Sequence, residues 1–216
     1  MSSSRISLIH PTGNPNSRQA AIALWEADLL YEVITTIAYN PRGSVSRYLN
    51  LLPKKIRDRV AYELGRRTWS APTSVPMRTH PGREAIRVAL VKTGLSCRLG
   101  FGPLGPLDWV YSSLDCHVAG HHLQSLDAVY AYEDGAAATF HEAKKQGIIC
   151  LYDLPIPFYR TVFEIQLEEA QRFPDMTSAL IAIHEPARKL ERKEQELQLA
   201  DHIFVASSVT KNSLLQ

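Results

Sequence analysis

LDAVYAYEDGAAATFHEAKKQGIICLYDLPI, residues 126–156, decides the fold class. Leu126 to Tyr132 is a short apolar and aromatic run, and it reads as a strand. Glu133-Asp134-Gly135 is its exit loop. Ala136 to Gln146 has helical character and ends at Gly147, a residue suited to the left-handed turn after a helix. Ile148 to Tyr152 is apolar throughout, like a strand covered on both faces of a parallel sheet. Strand, helix and strand in so short a span make a βαβ unit.

The same alternation extends to both ends of the chain. Arg5 to His10 is a β-branched run that ends in Pro11-Thr12-Gly13-Asn14-Pro15-Asn16. Ser17 can cap a helix carrying Ile22, Leu24, Trp25, Leu29 and Leu30. Tyr31 to Tyr39 is rich in Val, Ile, Thr and Tyr, a second strand. Ser44 to Arg67 reads as one or two basic helices, Thr68 to Pro81 as a loop, Gly82 to Thr93 and Leu107 to Leu123 as helices. After Asp153-Leu154-Pro155-Ile156-Pro157 come helices at Phe158–Arg172 and Arg188–Leu199, a strand at His202–Ala206, and Ser207-Ser208 as a cap. The pattern predicts an α/β fold: a doubly wound parallel, Rossmann-like sheet with Ile6 to Ile9 central and a basic helical insertion at about 41–106.

Composition narrows the function classes. The 216 residues carry a formal net charge of +2, but unevenly. Residues 41–98 hold 13 Lys or Arg against 3 Asp or Glu, whereas residues 100–216 hold 9 against 16. So local an excess fits either a solvated helical face or an anionic partner. No apolar run approaches the roughly 18 residues of a membrane span. Met1-Ser2-Ser3-Ser4-Arg5 lacks the apolar core of a signal peptide. Cys97, Cys116 and Cys150 are odd in number and form no CxxC pair, so they read as reduced thiols. A cytoplasmic protein is expected, with peripheral contact at the inner face of an anionic membrane if the basic segment binds lipid.

In open parallel sheets ligands bind beyond the carboxyl ends of the strands. That selects four loops: His10–Asn16, Tyr132–Gly135, Tyr152–Pro155 and Ser207–Ser208. In the first, Gly13 permits close backbone approach, and the following helix start offers amides to an anion. Glu133 and Asp134 put two carboxylates at a strand end, where one can serve as a base or hold sugar hydroxyls. Asp134 reads equally well as an N-cap. His117 and His121 share a helix face and His122 follows, but no third or fourth ligand stands near them in sequence. No metal site is assigned on that basis, and no cofactor is expected.

The order of these loops resembles the N-terminal domain of family 4 glycosyltransferases of the twin-Rossmann (GT-B) architecture. The likeness rests on HPTGNPNSRQAAIAL (10–24), on residues 126–156 quoted above, and on RKLERKEQELQLADHIFVASSVTKNSLL (188–215). The resemblance implies transfer of a sugar from a nucleotide-sugar donor to a hydroxyl of a glycan or lipid-linked acceptor, without a catalytic metal. It implies that Gly13, Asn14 and Asn16 face the donor phosphates. Glu133 and Asp153 become the catalytic candidates, with Tyr132, Asp134, Tyr152, Ser207 and Ser208 lining the substrate side. Two departures stand out: Tyr152 occupies a position where many members carry His, and Glu133 one where many carry a cleft-facing His. The resemblance also implies a donor-binding C-terminal domain absent from these residues, so the lone half is expected to be inactive. A non-catalytic α/β binding module using Lys54, Lys55, Arg57, Arg59, Arg66 and Arg67 on an anionic membrane or a nucleic acid is the alternative. No nucleic-acid motif surrounds those residues, and no nucleic-acid partner is expected.

Overall fold

The computed structural model describes residues 4–39, 53–65, 75–99 and 105–215. Six strands form one sheet: β1 (Ile6–Ile9), β2 (Leu30–Thr35), β3 (Met77–Thr79), β4 (Ala128–Tyr132), β5 (Ile149–Leu154) and β6 (His202–Val205). Their order is β3-β2-β1-β4-β5-β6 and every pairing is parallel. The fold is therefore a parallel α/β sheet of Rossmann type, with β1 central as expected. Strand order reverses between β1 and β4, and a crevice opens at such a switch point.

Among the described residues the helices are α1 (Pro15–Glu26), α2 (Lys54–Gly65), α3 (Pro81–Lys92), the four-residue α4 (Leu95–Arg98), α5 (Gly105–His121), α6 (Ala137–Lys145), α7 (Tyr159–Arg172), α8 (Ala187–Leu199) and α9 (Ser208–Ser213). Short 3₁₀ turns at Pro174–Ala179 and Ala182–His184 join α7 to α8.

Side chains alternate across the sheet, so each strand feeds two cores. On one face Ile9, Ile34, Val129, Ala131, Cys150, Tyr152 and Leu154 pack with Val118, Phe140 and Phe158. On the other, Ile6, Leu8, Val33, Ala128, Tyr130 and Tyr132 pack with Ala21 of α1. Complete burial of an aliphatic side chain of this size contributes about 1.5–3 kcal/mol. β1 and β4 are buried at every position, whereas β5 is fully buried on one face only. Cys116 and Cys150 are free thiols.

Two local readings need correction. Residues 68–81, read as a loop, contain β3, whose three residues pair with Val33, Ile34 and Thr35. So short an edge strand, flanked by prolines, leaves no periodic signal in the sequence. Helix α1 begins at Pro15 rather than after Ser17. Asn14 is its N-cap, its side chain accepting the Ser17 amide at 2.8 Å, and a proline at the first helical position suits that arrangement.

Much of the basic segment, including Arg66 and Arg67, lies outside the described residues. Within α2, Lys54 and Lys55 are exposed and Arg57 pairs with Asp58 at 3.4 Å. No helix among the described residues is long and apolar enough to cross a membrane.

Candidate functional site

The exit loop of β1 folds around a histidine. His10 is buried, and its Nδ1 accepts the amides of Thr12 at 3.1 Å and Gly13 at 2.9 Å. Burial pushes its imidazole down from 6.5 to about 4, so the ring stays neutral and keeps that lone pair available. Gly13 turns at φ +60°, a left-handed conformation that a Cβ penalises. Its carbonyl accepts Arg18 Nε at 2.9 Å. The Thr12 and Gly13 amides are thus turned inward to His10, and Asn16 stands exposed on the first turn of α1.

The exit loop of β4 meets a stripe of charge on α8. Lys189, Arg192, Lys193 and Glu196 recur at i, i+3, i+4 and i+7, one face of a helix. That face points inward. Lys193 Nζ lies 3.2 Å from Glu133 and 3.1 Å from Glu185. Lys189 Nζ lies 3.1 Å from Asp134 and 2.5 Å from Glu185. Arg192 pairs with Asp108 and also donates to Ser112 at 2.7 Å. The Glu133 and Lys193 side chains are only 9% and 6% exposed, so water screens their interaction little. Burial pushes the Glu133 carboxyl up from 4.5 to about 7, against the pull of Lys193 and with help from Asp134 and Glu185.

Asp134 does not cap the helix that follows it. It sits at φ +73°, and α6 starts from Ala136 with no side-chain cap of its own. Carboxylates from two other helices do that work. Glu196 accepts the amides of Asp134 at 2.9 Å and Ala136 at 3.0 Å, and the Tyr152 hydroxyl at 3.0 Å. Asp115 accepts those of Ala138 and Thr139, both at 2.8 Å. Burial pushes Glu196 up to about 8, while the two amides oppose that shift.

Between these loops lies a cleft of about 240 Å³ lined by His10, Asn14, Asp108, Tyr111, Tyr132 and Glu133, with Asp134 and Lys189 at its edge. Three buried polar atoms here, Tyr132 Oη, Glu133 Oε1 and Asp134 Oδ1, lack a well-formed hydrogen bond, although Lys193 Nζ stands 3.2 Å from Glu133 Oε1 and Arg192 and Lys193 face Asp134 Oδ1. Burial and the Asp153 charge push the Tyr132 hydroxyl well above the usual phenol range. A native fold leaves few such groups unmatched, and this makes the cleft the candidate site. A wider groove of about 980 Å³ runs between α5, α6 and α8, but among the described residues it holds only Arg192 Nε as such an atom.

The candidates from sequence therefore separate. Asn14, Tyr132, Glu133 and Asp134 line one cleft, with Gly13 behind Asn14. Tyr152 is fully buried, on the sheet face opposite Tyr132, and donates its hydroxyl to Glu196. Asp153 accepts the Tyr130 hydroxyl at 2.6 Å, and burial raises its carboxyl above the ordinary range. Ser207 caps α9 through the Thr210 amide at 3.1 Å, and Ser208 is exposed. Sequence reasoning missed His10, Asp108, Tyr111 and the α8 stripe. The stripe had a signal, helical spacing of charge, but charge at that spacing ordinarily faces solvent.

A second cluster lies apart from this cleft. His80, at the start of α3, meets His117 and His122 at the end of α5, and the three could hold a metal ion.

No family model matches the chain, and no curated protein matches it. Among solved structures it is similar to one described as a UDP-N-acetylglucosamine 2-epimerase from Listeria monocytogenes, at 11% identity and TM-score 0.46, over 100% of this chain and 42% of that one. It is also similar to a UDP-glucosyltransferase from Polygonum tinctorium capable of glucosylating indoxyl, at 12% identity and TM-score 0.41, over 99% of this chain and 50% of that one. The chain spans half or less of the length of these structures.

Proposed function

We propose that this chain is the acceptor-binding half of a glycosyltransferase, and that the cleft beyond β1 and β4 receives the acceptor hydroxyl. One observation carries the reading. The side chains of Tyr132, Glu133 and Asp134 line one cleft at the switch point of a parallel sheet, and a sugar's hydroxyls would hydrogen-bond to them.

Glu133 is the base in this reading. A carboxyl near neutrality both exists as carboxylate at working pH and holds a proton once it has taken one. Deprotonated Glu133 removes the acceptor's proton as the hydroxyl oxygen attacks the anomeric carbon of the donor, whose bond to the nucleotide's phosphate oxygen breaks and releases the nucleotide. Lys193, 3.2 Å away, stabilises the carboxylate before transfer. Asp134 and the Tyr132 hydroxyl hold neighbouring hydroxyls of a glycan or lipid-linked acceptor. Asp153 fixes Tyr130 beside Tyr132 and supports that wall. Asn14 stands where the donor's phosphates would approach, and a second half holds the nucleotide-sugar. Bringing donor and acceptor together in this way contributes about 7–11 kcal/mol to lowering the barrier, so the lone half should not turn over.

The test is steady-state transfer by the full-length enzyme and its Glu133→Ala and Glu133→Gln variants. Loss of a positioned base should lower turnover by roughly 10²–10⁴-fold. Unchanged turnover in both variants, or robust transfer by the isolated chain, would overturn the assignment.

A further inference from the structure

Outside the strand-end cleft, three imidazoles from two separate parts of the chain converge. His80 ends the β3 segment, and its amide donates to Thr35 O at 3.0 Å. His117 lies on α5, and His122 follows that helix directly, its amide still bonded to Val118 O at 2.9 Å. The rings of His80 and His117 are 4.0 Å apart, those of His80 and His122 5.3 Å, and those of His117 and His122 5.4 Å. One ring nitrogen from each lies within 4.8 Å of the others. From the sequence alone His80 was invisible as a partner, because the contact is made only when α3 packs on α5.

We propose that His80, His117 and His122 form a binding site for a zinc-class divalent transition-metal ion. Four observations support it. His80 Nε2 is buried and has no hydrogen-bond partner, so a lone pair or proton is left unanswered there. Neutral imidazole is a preferred ligand of zinc, copper, nickel and iron. The ring of His122 already has a carboxylate behind it: Glu32 Oε1 lies 3.6 Å from its Nδ1, and buried carboxylates in that position orient ligating histidines. His80 and His117 also line a cleft of about 330 Å³ with Thr36, Thr79, Arg83 and Ser113, which leaves room for a water or ligand atom as a fourth donor.

The electrostatics are mixed and still permit a cation. Arg83 adds positive charge beside His117, while Glu32 supplies negative charge beside His122. Nitrogens around a tetrahedral zinc, each about 2.0–2.1 Å from the ion, stand about 3.3 Å apart. The three donors must close by at most about 1.5 Å, which imidazole rotation can supply. Without an oxygen ligand in the set, magnesium and calcium are disfavoured. Once bound, the ion would staple the β3–α3 margin of the sheet to the end of α5.

Zinc and cobalt(II) binding to the tag-free chain tests this directly. We expect one ion per chain and a cobalt spectrum with visible bands of tetrahedral strength. His80→Ala, His117→Ala and His122→Ala should each weaken zinc binding at least tenfold, His141→Ala should not change it, and magnesium should not compete. Mass-spectrometric mapping of carbethoxylation on wild-type protein needs no variant: zinc should protect His80, His117 and His122 but not the exposed His141 and His184. Less than a tenth of an equivalent of bound zinc, equal affinities for His80→Ala and His141→Ala, or uniform protection would overturn the site.

Discussion

Glu196 on α8 accepts the backbone amide of Ala136 at 3.0 Å, across 60 residues of sequence. The same carboxylate takes the Asp134 amide and the Tyr152 hydroxyl, so one buried side chain joins the β4 exit loop, the start of α6 and the sheet. Glu196→Ala strands three donors, each worth about 1–3 kcal/mol when buried unpaired. We expect at least about 3 kcal/mol of destabilisation in urea titrations, with Glu196→Gln intermediate. A loss under about 1 kcal/mol would show that water replaces the carboxylate.

Stability should depend on pH through Glu133 with a definite sign. Its folded pKa is raised from 4.5 to about 7, so the native state binds this proton more tightly than the unfolded chain. That contribution is fully present below about 4.5 and is lost as pH rises through 7. Glu133→Gln removes it. Relative to the variant, wild type should gain on the order of 3 kcal/mol between pH 7 and 4.5, the free-energy equivalent of the shift. Parallel pH profiles for the two proteins would refute this.

His10 should act in the opposite direction. Its pKa falls from 6.5 to about 4 on folding, so the neutral ring stabilises the native state above 6.5 and the contribution is lost as pH falls toward 4. Compared with His10→Gln, wild type should weaken on acidification across that window. Chemical denaturation at pH 7, 5.5 and 4.5 measures the difference, and a constant difference would remove His10 from the account.

Two substitutions at the β1 exit probe its backbone. Gly13→Ala places a Cβ at φ +60° and should cost about 1–2 kcal/mol. Asn14→Ala removes the cap of α1 and should cost about 1 kcal/mol. If Gly13→Ala is silent in thermal unfolding, the turn has another conformation in solution.

For the full-length enzyme, the proposed base also predicts a rate profile. kcat/KM should rise with pH through a midpoint near 7 as Glu133 ionises. Glu133→Gln should flatten that limb as well as lower it. A wild-type profile level from pH 5.5 to 8.5 would argue against Glu133 as base.

The sheet was legible because β1, β4 and β5 are apolar on both faces and separated by helices of ordinary length. β3 was not, because three residues between prolines carry no period. Within the cleft, Glu133 and Asp134 were readable from their place after β4. Tyr152 and Asp153 looked equivalent to them, but Tyr152 is fully buried with its hydroxyl given to Glu196, and Asp153 is tied to Tyr130. The α8 residues could not be placed from sequence, since a helix face rich in Lys, Arg and Glu normally meets water. Here it meets Asp108, Glu133, Asp134 and Glu185. His80 needed tertiary packing to reach His117.

Several of the amides at the cleft that could have greeted an anion are spoken for. Those of Thr12 and Gly13 go to His10, and those at the start of α6 go to Glu196 and Asp115. Side chains such as Lys189, Tyr132 and Asn14 are left to carry much of any recognition in the cleft. Backbone recognition is hard to alter without rebuilding a loop, whereas a side chain changes with a single codon. Related chains could share this scaffold and diverge widely in what they accept, with the main chain of the crevice held constant.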